Sequence, residues 1–127
     1  MDYVPIVLVA VHAMSGVFWA GSTGAMANLQ GALAEKIFPF QMGSAGAAII
    51  AGILLFVLYR GFSGSTSDWI LITGIAAATI ALIVQIALIL PARGSGEAAR
   101  PRMAFANRIA AGLLSLTVAT MVIAKYF

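Results

Sequence analysis

Four long apolar runs, separated only by short polar stretches, leave this chain few ways to fold. A helix needs roughly 20 predominantly apolar residues to cross the hydrocarbon of a bilayer. Residues 4–27, 41–60, 68–90 and 103–125 each meet that requirement. Inside lipid every backbone N–H and C=O must be paired within the protein, so such runs form helices. Composition agrees: of 127 residues, 62% are hydrophobic and 9% charged, against about 25% charged in soluble domains. The expected architecture is an all-α, integral membrane, antiparallel four-helix bundle, one domain over 1–127. The start, Met1-Asp2-Tyr3, has no basic stretch of the kind that opens a signal peptide. The first run therefore reads as a retained spanning helix.

The edges carry their own signals. Pro5 falls in a first turn, where its missing N–H costs little. In "LQGALAEKIFPF", residues 29–40, the charges Glu35 and Lys36 precede Pro39, which predicts a break in the chain. The Gly/Ser loop "GFSGSTS" leads to Asp68, a candidate N-cap for the third helix, and Pro91 closes that helix. The loop 91–102, "PARGSGEAARPR", is polar.

Lysine and arginine set the topology. With four spans, both termini share a side with Arg60 and Lys125, while Lys36, Arg93, Arg100, Arg102 and Arg108 lie on the other. Five against two predicts cytoplasmic 1–2 and 3–4 loops and periplasmic termini. Tyr3, Tyr59, Trp69 and Tyr126 then sit at the outer boundary, as interfacial aromatics do. The basic 91–102 loop fits anionic lipid at the cytoplasmic face, and nucleic acid is not an expected partner.

Several chemistries are excluded. There is no cysteine, hence no disulfide and no thiolate metal site. The four carboxylates, Asp2, Glu35, Asp68 and Glu97, lie at boundaries or in loops, so carboxylate acid–base chemistry within the membrane is not expected. Small residues at four-residue spacing (Gly16, Ala20 and Gly24; Ser44, Ala48 and Gly52; Gly74 and Ala78) predict close helix packing. They also offer space for a flat cofactor.

The one histidine lies in "AVHAMSGVFWAGSTGAMA", residues 10–27. At the helical rise His12 is roughly 12 Å deep, level with Gly52, Thr79 and Thr117. His12, Ser15, Gly16 and Trp19 share one helix face, which should look inward because polar residues avoid lipid. A second polar layer comprises Trp19, Ser22, Ser44, Gln85, Asn107 and Arg108. Gln85 and Asn107 fit interhelical hydrogen bonding. Arg108 either snorkels to headgroups or meets an anion, such as a lipid phosphate or a haem propionate. Three roles stay open for His12: a hydrogen bond to Thr79 or Thr117, haem or metal ligation, and proton transfer. One histidine supplies one axial ligand; Met121 is the nearest second donor on another helix.

The pattern His12-x3-Gly16-x2-Trp19-x-Gly21 resembles a superfamily of small bacterial four-helix membrane proteins. It includes the HemJ-type protoporphyrinogen oxidases and the membrane domain of CopD-type copper-resistance proteins. Gly52 in "AAIIAGILLF", Asn107 and the end at Lys125 add to the likeness. The resemblance implies a bacterial inner-membrane protein with His12 as ligand to b-type haem. The third run, "DWILITGIAAATIALIVQIALIL", lacks the basic residue that those oxidases use, so the likeness extends to haem rather than to porphyrinogen oxidation. The six methionines are dispersed, unlike a copper relay.

Two functions are therefore expected. In the first, the protein acts in membrane redox or haem chemistry: His12 ligates haem b, Gly16 and Gly52 leave room for the ring, Trp19 packs against it, and Arg108 meets its propionates. In the second, the chain is a non-enzymatic accessory or assembly subunit of a larger membrane complex. Either way the small-residue faces predict a homo-oligomer or partner membrane subunits.

Overall fold

The computed structural model describes residues 3–28, 34–94 and 96–127. Asp2, the start of the first inter-helix stretch and Ser95 lie outside them. The chain forms α1 (Val4–Asn28), α2 (Ala34–Leu55) continued by a π-helical turn (Phe56–Arg60), α3 (Thr66–Ile89), a 3-10 turn (Gly96–Ala99) and α4 (Arg100–Ala124). The four spans are long and apolar enough to cross a membrane. They are packed as an all-α bundle.

Two expectations at helix ends are corrected. Pro39 does not break the chain: α2 begins at Ala34 and runs through it. Pro39 is the sixth residue of that helix, past the first turn, so the helix continues although one backbone hydrogen bond is forgone there. Asp68 is not the cap of α3. Ser65 takes that position with extended backbone, and its hydroxyl accepts from Asp68 N–H at 3.2 Å. Asp68, three residues on, occupies the acidic position of a capping box.

The end of α2 also departs from a regular helix. Over Phe56–Arg60 the ladder widens, and Gly61 N–H donates to the Phe56 carbonyl at 2.6 Å. Gly61 then turns the chain at φ +74°, ψ 163°, a conformation essentially restricted to glycine.

Around the bundle the order is α2, α1, α4, α3, with the main contacts between those neighbours and a lighter seam between α2 and α3. The two ends differ in filling. At the end holding the 1–2 and 3–4 connections, Met26, Phe38, Ile89, Met103 and Ala106 form a closed core. In the middle, alanines from α2, α3 and α4 let the backbones approach around Trp19 and Leu114. At the end holding the termini α3 and α4 stay in contact, Ser67 Oγ donating to the Ala124 carbonyl at 2.8 Å, while a cavity opens among the four helices. Large apolar side chains such as Val17, Ile83 and Val118 point outward, as lipid-facing residues do.

Candidate functional site

His12 reaches the terminal-side space from the third turn of α1. Its Nδ1 donates to the Ala48 carbonyl of α2 at 2.7 Å. That contact requires Gly52. A Cβ there would stand 2.8 Å from His12 Cε1 and 3.1 Å from Nδ1, closer than atoms pack. Gly52 thus hosts the imidazole itself. With Nδ1 carrying the proton, Nε2 is left with its lone pair. Among the described residues Nε2 has no hydrogen-bond partner. The hydroxyls at the same depth are engaged elsewhere: Thr79 with Ile75 O, and Thr117 with Gly74 O and Leu113 O.

The imidazole lines a cavity of about 860 Å³, within the range of small-molecule sites. Gly16, Trp19 and Gly52 line it too, with Phe56, Arg60, Leu114, Thr117 and Met121. Its walls are overwhelmingly apolar. Four of the sequence-derived candidates, His12, Gly16, Trp19 and Gly52, are therefore brought together. Arg108 is not: it is exposed on α4 and does not line the cavity. The cation at this space is Arg60. Its Nε donates to Asp68 Oδ1 at 3.1 Å and its Nη2 to Ser67 Oγ at 2.6 Å. Asp68 also accepts from Ser63 N–H and Ser63 O–H at 2.7 and 2.9 Å, so the loop between α2 and α3 is tied down beside the cavity.

Trp19 joins the cavity to the polar layer. Its ring is a wall of the first, and its Nε1–H donates to Gln85 Oε1 at 2.7 Å. Gln85 Nε2 donates to Thr23 Oγ1 and to Asn107 Oδ1, both at 3.0 Å. Gln41 Nε2 donates to the same two oxygens at 3.2 and 3.3 Å. Asn107 Nδ2 donates to the Met103 carbonyl at 3.0 Å. The network draws on all four helices, and Thr23, Gln41, Gln85 and Asn107 are wholly buried. Gln41 Oε1 alone among the described buried side-chain polar atoms lacks a partner. Ser22 and Ser44 instead bond locally to backbone carbonyls of their own helices.

Thr23, Gln41 and Arg60 are the residues that sequence reasoning missed. Thr23 lies one helical turn after Trp19, a signal that was available. Gln41 was hidden by reading Pro39 as a break, which put it at a boundary. Arg60 carries only a topology signal in the sequence.

Among the described residues no three of His, Cys, Asp and Glu gather to hold an ion. The cavity thus presents one imidazole among apolar walls. Fold and cavity together define a small polytopic membrane protein of the four-helix class. Comparison with protein families, with characterised proteins and with solved structures finds no match.

Proposed function

We propose that the cavity holds b-type haem, which His12 Nε2 would ligate, and that the protein works in membrane redox or haem chemistry. One observation carries the reading. His12 is fixed through Nδ1 to a backbone carbonyl, its Nε2 has no partner among the described residues, and the residue lines an apolar cavity. Metal-ligating imidazoles are oriented in this way, by a hydrogen bond from the other ring nitrogen. Met121 lines the same cavity from α4 and is the candidate second ligand, a pairing known to raise haem potentials. The resemblance around His12, Trp19 and Gly21 points the same way.

The chain's residues have separable roles in this proposal. His12 binds. Gly52 and Ala48 orient the imidazole. Trp19 and the apolar walls exclude water. Arg60 replaces Arg108 as the cation available to a propionate. Bound there, haem supplies a one-electron couple inside the bilayer. With five basic residues on one side and two on the other, the termini are assigned to the periplasmic face of the inner membrane.

The test is haem content per protein after purification from haem-replete cells. The wild type should carry haem, His12→Ala should lose it, and Met121→Leu should keep it with an altered spectrum. Colourless wild-type protein that co-purifies with other membrane subunits would favour the accessory role instead.

A further inference from the structure

The cavity has a second property, independent of its imidazole. Its rim runs out onto the lipid-facing surface of α1 and α4: Val17 is 74% exposed and Val118 53% exposed, and both line it. These helices are of membrane-spanning length, so the rim meets hydrocarbon rather than water. An apolar cavity stays dry, and walls without neighbours forfeit their dispersion contacts. The material at the opening that restores those contacts is an acyl chain.

The polar end of the same space supplies a headgroup partner. Arg60 lines the cavity yet keeps 40% of its side chain exposed. Its Nε and Nη2 are held by Asp68 and Ser67, and Nη1 has no hydrogen bond among the described residues. A guanidinium with a free edge is suited to a phosphate oxygen. Trp69 lies exposed at this end, where interfacial aromatics meet headgroups.

We propose that, when no other ligand fills it, the cavity is a phospholipid site. One acyl chain from the leaflet on the terminal side enters between α1 and α4 and lies over Trp19, with its phosphate at Arg60. A hydrophobic cofactor must displace this chain to reach His12. The proposal does not rest on haem binding.

Trp19 is the reporter. The chain has two tryptophans, and Trp69→Phe leaves Trp19 alone. Protein without a Soret band is reconstituted into dioleoyl-phosphatidylcholine or its dibrominated form, since bromine quenches tryptophan at near contact. Trp19 is 2% exposed to the outside, yet its emission should fall at least twofold in brominated lipid. Gly16→Leu, at a cavity-lining position where an added Cβ meets nothing within 4 Å, should restore at least half of the loss by filling the cavity. Unquenched Trp19, or quenching unchanged in a folded Gly16→Leu protein, overturns the proposal. Should that variant not fold, native mass spectrometry of the wild type decides. One retained phospholipid, lost in Arg60→Gln, supports the site, and lipid-free wild type overturns it.

Discussion

His12 lies against Gly52, its Cε1 in the space that a Cβ on Gly52 would need, 2.8 Å away. The glycine and the hydrogen bond from Nδ1 to the Ala48 carbonyl are thus one arrangement. A methyl at 52 must push the ring off that carbonyl. Gly→Ala within a helix otherwise gains up to about 1 kcal/mol, and one lost hydrogen bond costs about 1 kcal/mol. Gly16 makes the matched control, because a Cβ there meets nothing within 4 Å. Gly52→Ala should be less stable than Gly16→Ala by about 1–2 kcal/mol in mixed-micelle unfolding. Equal stabilities would mean that the imidazole is not seated as described.

The two glutamines of the polar layer should differ although both are wholly buried. Gln85→Leu strands Trp19 Nε1–H and takes a donor from Thr23 and Asn107. Gln41→Leu removes an oxygen that has no partner among the described residues, and its two acceptors keep Gln85. A stranded buried group costs about 1–3 kcal/mol. Gln85→Leu is expected to fall in that range and Gln41→Leu below it, as read by unfolding in mixed micelles. The reverse order would contradict the network.

The start of α3 gives a third expectation. Ser65→Ala removes an N-cap and should cost about 1 kcal/mol. Asp68→Ala should cost more, because Asp68 is buried and holds Ser63 N–H, Ser63 O–H and Arg60 together. The half-exposed Arg60 contributes the smaller share, since solvent screens it. Thermal unfolding in detergent ranks the two variants.

Orientation can be read with single cysteines, since the chain has none of its own. Ala98→Cys and Phe127→Cys both place the thiol at exposed positions, at opposite ends of α4. A membrane-impermeant maleimide added to intact cells should label the second and spare the first. Labelling of position 98 alone would invert the topology.

The fold was legible because span length and apolar composition dictate helices in lipid whatever the finer detail. The inward face of α1 was legible in part: His12, Gly16 and Trp19 recur at helical spacing and line one cavity, whereas Ser15, expected on the same face, does not line it and bonds to the Val11 and His12 carbonyls of its own helix. Single residues at helix ends were not. Pro39 reads as a breaker from chemistry alone, yet α2 runs through it at its sixth residue. That misplacement pushed Gln41 out of the polar layer. Arg108 and Arg60 show the same limit: depth arithmetic gives a level in the bundle, but not which way a side chain turns. The partner of His12 was not readable either, because a backbone carbonyl offers itself at every residue of a facing helix.

The measurement that bears most directly on the proposed role of His12 is a reduced-minus-oxidised visible spectrum of the detergent-purified protein beside its His12→Ala variant. A b-type difference signal in the wild type, absent from a variant that keeps its helical content, is the predicted result. No signal in haem-replete wild type, or a signal that survives His12→Ala unchanged, would contradict the assignment of this imidazole to haem.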